Sequence, residues 1–364
     1  MRRTLIIATF LSIAAWAQAE ACTGISLVTT GGAHVHGRTI EWASFDLNSK
    51  LIVSPRDHGY TSKLPQERDG LTWKGRYGFV GISVSDDRFI GEGMNEAGLN
   101  AGLFYFPGYG SLAPYDPAST AHNVADMDLV RWMLSQFSTV GEVRAALDDI
   151  RVAPIFIDES GQPSPTAHWR VTDREGGSIV IEIIDGGQVQ VYDNQVGVLT
   201  NSPGFPWHLL NLNNYVQLEP GTVGPRKFNE LKASSFGAGT AFLGLPGDIT
   251  PPSRFVRAAF FVATAPTMET SAQAVSQAFH ILNNFDIPIG TEFGEAERSK
   301  MPDLPSATQW TAVSDLDQGA FYFKSMHDGA VKRVDLGRID FAGGQETATA
   351  LDEGAFRYQD ATPQ

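Results

Sequence analysis

Hydrophobic and polar positions alternate with a period of two at both ends of the chain and take a helical period in between. Residues 22–29 and 35–42 are short apolar-polar runs joined at Gly31-Gly32, which predicts an antiparallel hairpin. Residues 126–137 place Met127, Val130, Met133 and Leu134 on one side of a helix, and Thr139 with Glu142 reads as a capping box opening a second. The period of two returns over 179–184, 189–192 and 196–200, with Asp185-Gly186-Gly187 as a turn, predicting a meander. Ser253 is expected to cap a helix through Phe255, Ala258, Ala259 and Val262, a further helix covers 270–283, and a last hairpin folds about Asp317-Gln318-Gly319. Hairpins enclosing helix pairs predict an α+β fold with sheets flanked by helices rather than a parallel doubly wound sheet. With no repeat and no linker, one domain is expected over 22–343, followed by a loose tail over 344–364.

The first residues follow another logic. Arg2 and Arg3 precede an apolar run from Leu5 to Trp16, and small residues follow at Ala17, Ala19 and Ala21. This predicts a signal peptide over 1–21 and a periplasmic or secreted protein. The run is shorter than the roughly 20 residues of a membrane span, so no membrane span is expected. Ala19-Glu20-Ala21 suits a cut before Cys22, and Ala17-Gln18-Ala19 suits one after Ala19; the choice stays open. A net charge of −14 argues against nucleic acid as a partner.

Cys22 is the sole cysteine, which excludes an intrachain disulfide. It could be a buried thiol, the lipidated residue of an exported binding module, or an N-terminal nucleophile. Lipidation wants an aliphatic residue three before and a small neutral one two before, where this chain has Ala19 and Glu20. As a nucleophile, Cys22 would supply the sulfur, and its freed α-amine, with a pKa of about 7.7–8.0, would serve as base. Other chemistry is missing. There is no His-Glu-x-x-His, His34-x-His36 has no further nearby ligands, no Gly-x-Ser-x-Gly elbow occurs, and Gly237-Ala238-Gly239 lacks the rest of a dinucleotide fingerprint. A reaction without metal or cofactor is expected.

Several stretches resemble the choloylglycine hydrolase family, N-terminal-nucleophile amidases that include penicillin V acylases and conjugated bile acid hydrolases. They are Cys22-Thr23-Gly24-Ile25-Ser26, Gly37-Arg38-Thr39-Ile40-Glu41-Trp42, Gly93-Met94-Asn95-Glu96-Ala97-Gly98-Leu99, Thr200-Asn201-Ser202-Pro203, Leu245-Pro246-Gly247-Asp248, Ser253-Arg254-Phe255 and Thr308-Gln309-Trp310-Thr311. The resemblance implies a four-layer αββα sandwich and a homotetramer. It makes Cys22 the nucleophile, Arg38 the cation beside the sulfur, Arg254 a second basic site residue, and Asn201 with the Tyr105 backbone N–H the oxyanion hole. Where many members carry an aspartate to orient the amine, this chain has Glu41, with Asp46 in reserve. In a regular strand Arg38 and Glu41 would face opposite ways, so either the strand ends or bulges near Ile40 or one of the two roles is misassigned.

Tyr105 stands where penicillin V acylases of the family tend to carry Tyr and bile acid hydrolases Asn. Trp42, Phe45, Tyr60, Phe104, Tyr105 and Phe106 are therefore candidates for an aromatic acyl pocket. The resemblance, to secreted Gram-negative-type members in particular, implies a small-molecule acyl amide as substrate. Penicillin V and N-acyl homoserine lactones lead, and conjugated bile salts are the alternative.

Overall fold

The structure is a computed structural model describing residues 20–43, 45–118, 120–157, 167–299, 308–358 and 360–363. Its first hairpin follows the sequence pattern. β1 (Glu20–Val28) pairs antiparallel with β2 (His34–Trp42), setting Cys22 opposite Ile40 and Gly24 opposite Arg38. Beyond β2 come Thr308–Asp315, Ala320–Ser325 and Lys332–Asp335, completing a five-stranded sheet. The second sheet has eight strands in the order Gln188–Asp193, Ser178–Ile184, Ala167–Asp173, Leu99–Tyr105, Asp86–Asn95, Phe79–Val84, Lys50–Ser54 and Thr347–Ala350.

The longer α-helices among the described residues are α1 (Leu129–Gln136), α2 (Val140–Ala146), α3 (Phe205–Asn211), α4 (Pro251–Thr264) and α5 (Ser271–Leu282). α4 and α5 cover the first sheet, α1 and α2 cover the second, and the sheets face each other through β1 and Leu99–Tyr105. The result is the αββα sandwich. Because both sheets are covered on both faces, their central strands are buried along nearly their whole length. Phe104, Trp169 and Trp310 are enclosed between the layers, each contributing about 1.5–3 kcal/mol of burial. Gly24 permits the closest approach: a Cβ there would lie 2.6 Å from Arg170 Nη1 and 2.7 Å from Phe104. Beside Cys22, the two sheets therefore come nearer than side chains ordinarily allow.

Several expectations change. Residues 196–200 do not extend the meander: Gly197 takes a φ of 69°, its N–H donates to Asn194 Oδ1, and the chain crosses to the edge of β1. There Gly24 and Leu199 exchange backbone hydrogen bonds of 2.7 and 3.1 Å. Ser253 does not cap α4. The cap is Thr250, with Pro251 opening the helix, and Ser253 Oγ donates to Asp248. The box at Thr139 is half formed, because Glu142 accepts from Ser138 instead of returning to Thr139. A complete box caps α5, from Thr270 and Gln273.

The boundary at 343 is also corrected. Thr347–Ala350 is an edge strand on Lys50–Ser54, Glu346 pairs with Arg131, and Leu351 is buried. All four residues of this strand are exposed, so its sequence carries no apolar stripe to mark it. Of the segment expected to be a signal peptide, residues 1–19 lie outside the described residues, while Glu20 and Ala21 belong to β1. Among the described residues no helix is long and apolar enough to cross a membrane.

Candidate active site

Cys22 lies near the start of β1 with its side chain in the space between the sheets, where its residue is only 4% exposed. Arg38 is two positions along the ladder on the same face. Its Nη2 donates to Cys22 Sγ at 2.8 Å, and its Nη1 donates to the carbonyls of Gly91 and Leu103 at 2.9 and 2.6 Å. Phe104 and Trp310 hold the guanidinium at 4.4 and 5.3 Å from their ring centroids. Burial pushes the Cys22 thiol up, against the downward pull of Arg38, the Tyr105 backbone N–H and Arg254.

On the outer edge of β1, the crossing segment delivers Asn201. The Cys22 backbone N–H donates to Asn201 Oδ1 at 2.8 Å, and Asn201 Nδ2 donates to the Tyr105 carbonyl at 2.8 Å. With donors from Cys22 and Arg254 on Oδ1 and a carbonyl acceptor on Nδ2, the amide has one sensible orientation. Arg254, in the first turn of α4, donates from Nη2 to the same Oδ1 at 2.7 Å. Its Nη1 reaches the Cys22 carbonyl at 2.5 Å and Thr23 Oγ1 at 2.9 Å, and its Nε the Ile249 carbonyl. Cys22, Arg38, Asn201, Arg254 and the Tyr105 backbone thus converge.

Glu41 does not join them in the expected way. β2 neither ends nor bulges; the irregularity lies in the partner strand, between Thr308 and Trp310. Arg38 and Glu41 keep opposite faces, as their spacing requires. Glu41 sits on the helix side, fully buried, with Thr308 Oγ1 at 3.5 Å and Oε2 unpartnered. Burial holds its carboxyl up at about 8 despite Arg254. The acceptor on the Cys22 nitrogen is Asn201, not Glu41. The reserve candidate Asp46 is exposed and accepts from the Asn48 backbone N–H in a turn.

The aromatic candidates divide. Trp42 packs edge-on against Phe45 and Tyr105 at 5.7 and 5.8 Å, and Phe45 is 48% exposed. Trp42 shares the face of Cys22 on the hairpin, so these rings form a rim beside the thiol. Phe104 is enclosed by Arg38 and Arg170, and Phe106 stacks on His168 at 4.3 Å; both are interior residues. Tyr60 bonds Ser54 and stacks on Trp73, away from the thiol. These three are core residues, each 5% exposed or less. No group of three or more His, Cys, Asp or Glu able to hold a metal occurs among the described residues, and the rings of His34 and His36 stack on each other.

Comparison with known proteins agrees with this geometry. The model of the family of linear amide C–N hydrolases, the choloylglycine hydrolase family, matches residues 22–349. A bile salt hydrolase/transferase of Clostridium perfringens is 33% identical over 326 residues, 89% of this chain and 95% of that protein. The chain belongs to the choloylglycine hydrolase family. A penicillin V acylase of Pectobacterium atrosepticum is 27% identical, with 88% and 81% of the two chains covered. Among solved structures, a mutant conjugated bile acid hydrolase from Clostridium perfringens has a TM-score of 0.79 at 29% identity, covering 94% of this chain and all of that one. A penicillin V acylase from Agrobacterium tumefaciens shares the fold, with a TM-score of 0.73 at 23% identity.

Membership makes the chain an enzyme acting on linear amides and sets aside the lipidated binding module. In the site itself, the sulfur is buried and engaged by Arg38. Sequence reasoning missed several supporting groups. Glu92 lies 4.0 Å from Arg38 and accepts from Arg170 at 3.1 Å. His208 Nε2 bonds the Asn201 carbonyl at 2.9 Å while stacking on Phe255, and burial holds its imidazole down at about 4. Gln309 lies within a matched motif, Thr308-Gln309-Trp310-Thr311, which by itself assigns it no role. Nothing in the periodicity marks His208 or Glu92, and the arginine partners of Glu92 lie far away along the chain.

Proposed function

We propose that this chain is exported as a secreted Gram-negative-type member of the family, is cut before Cys22, and hydrolyses linear acyl amides with Cys22 as an N-terminal nucleophile. The observation that carries the reading is the pair of contacts on one residue: Arg38 on the sulfur and Asn201 on the nitrogen. While Ala21 is attached, that nitrogen is an amide with no basic lone pair. Once freed, it takes the thiol proton, and the thiolate attacks the substrate carbonyl carbon. The oxyanion is received by the second N–H of Asn201 Nδ2 and by the Tyr105 N–H. The C–N bond then breaks, and the leaving nitrogen takes the proton from the α-ammonium. Water, deprotonated by the same amine, opens the thioester and releases the acid. No metal or cofactor enters these steps.

The Trp42–Phe45–Tyr105 rim favours planar aromatic or flexible acyl groups, so penicillin V and long-chain N-acyl homoserine lactones come first. A hydroxylated steroid would need a polar partner for each buried hydroxyl, and each one left unpaired costs about 1–3 kcal/mol. Bile salt hydrolysis is the second reading, favoured by the names of the relatives at 28–33% identity. Amine release from penicillin V, a long-chain acyl homoserine lactone and glycocholate under identical conditions separates them, with faster glycocholate turnover overturning the first reading. Intact mass tests export and processing: a mature form beginning at an unmodified Cys22 is expected. A homotetramer is part of the proposal, supported by the exposed Phe228, Leu231, Phe236 and Leu243 on the arm around Arg226–Phe228 and Leu231–Ala233. Light scattering that gives a monomer would remove it.

A further inference from the structure

We propose that Gln309 is a positioning residue that latches the segment carrying Trp42 and Phe45, and so sets which acyl group the enzyme accepts. Gln309 is 3% exposed. Its Nε2 donates to the carbonyls of Trp42 and Phe45, both at 2.7 Å, and its Oε1 accepts from the Leu47 N–H at 2.9 Å. Both side-chain donors and the acceptor are spent on one short stretch of backbone. Two carbonyls and one N–H around the amide also fix which way it is turned.

The position follows from the bulge. Thr308 pairs with Glu41 and Trp310 with Ile40, so Gln309 is the extra residue between them. The bulge sends Thr308 to Glu41 on the helix side and Trp310 over Arg38 between the sheets. In a regular strand these two would share a face. The offset frees Gln309 from the alternation and aims it at the backbone leaving β2. Gln309 thereby gives the part-buried carbonyls of Trp42 and Phe45 one donor each.

The rings of Trp42, Phe45 and Tyr105 keep their mutual distances only while that backbone is held. Gln309 makes no hydrogen bond to Cys22, Asn201 or Arg254, so the latch acts on acyl recognition and leaves the nucleophile alone. The inference rests on the reading above that this rim receives the acyl group.

The test compares wild type with Gln309→Met, which keeps length and removes all three bonds, and Gln309→Glu, which keeps the acceptor for Leu47 and loses both donors. Three readings are taken: kinetics on a phenoxyacetyl amide, kinetics on the acetyl amide of the same amine, and alkylation of Cys22 by iodoacetamide. Expected for both variants are a rise in KM of roughly 10-fold for the phenoxyacetyl amide, changes under about 2-fold in its kcat and in the acetyl kinetics, and an unchanged alkylation rate. Equal losses on both amides with slower alkylation would mean that Gln309 only supports the fold, and unchanged kinetics would mean that the latch is idle; either overturns the proposal. If Gln309→Met does not fold, Gln309→Glu decides. Phe45→Ala separates the two levels. If it leaves the phenoxyacetyl KM unchanged, the rim reading falls; if it raises KM while the Gln309 variants do not, the latch alone falls. The double variant should show less than additive loss, because both act on the same contact.

Discussion

Two buried arginines approach Cys22 from opposite faces of β1, and they do different things. Arg38, between the sheets, meets the sulfur and the carbonyls of Thr39, Gly91 and Leu103, with Glu92 at 4.0 Å shared with Arg170. Two guanidiniums around one carboxylate leave a positive surplus next to the thiol, which favours the thiolate. Arg254, on the helix side, meets the Cys22 carbonyl and Asn201 Oδ1, and its neighbours Glu41 and Glu292 are held up at about 8 and about 7 by burial. Its charge is spent on fixing the Asn201 amide so that Nδ2 faces the substrate side. Same residue type, same depth: the atoms each one reaches decide its part.

Removing the sulfur abolishes that comparison altogether, so it gives the largest effect. Cys22→Ser should leave the fold intact and reduce turnover of every amide to background, because the hydroxyl ionises far less readily. Turnover like that of wild type would show that the nucleophile is elsewhere. A form retaining Ala21 should be nearly as inactive, which intact mass and a rate assay check together. Next comes Asn201→Ala, which should lower kcat by about 10² to 10³ with a smaller change in KM. A rise in KM at constant kcat would make Asn201 a binding group. The arginines themselves should then separate by probe. Arg38→Met should slow iodoacetamide alkylation at pH 7 by about 10-fold or more, since a cation in contact typically moves a pKa by 1–3 units. Arg254→Met should change alkylation by less than about 3-fold while still lowering kcat. Equal slowing in both variants would erase the distinction.

The layered fold was legible because its hairpins and helices are local patterns: 22–29 against 35–42, and the helix over 270–283, emerge close to their expected bounds. Cys22, Arg38, Asn201 and Arg254 were legible through matched motifs. What failed depended on long-range geometry. Residues 196–200 alternate like a strand, yet Gly197 turns them across to β1, and that crossing is what brings Asn201 to Cys22. Phe104, Phe106 and Tyr60 look like pocket aromatics in a list of residues, and only packing assigns them to the interior. The bulge at Gln309 is invisible in Thr308-Gln309-Trp310, because the alternation it breaks is a relation between two strands.

The smallest effect tests the helix-side half of the comparison through pH. Burial holds the Glu41 carboxyl at about 8, with Arg254 the chief opposing influence, whereas an unfolded chain releases that proton near 4.5. Between these values the native state keeps a proton that the unfolded state has lost, so stability falls as pH rises, by at most about 1.4 kcal/mol per unit. Below the window both states are protonated, and above it both are ionised, so the contribution is flat outside. Glu41→Gln removes the titration and keeps an oxygen facing Thr308. Urea unfolding at pH 5, 6, 7, 8 and 9 should therefore show the variant gaining on wild type from pH 5 to 8, by a total of about a few kcal/mol, and no further beyond. Glu292 titrates in both proteins and largely cancels in the difference. A gap that stays constant over the whole range would mean that Glu41 is ionised throughout and paired with Arg254. The helix-side arginine would then be balanced by a carboxylate just as Arg38 is, and the contrast between the two faces would rest on hydrogen-bond geometry alone.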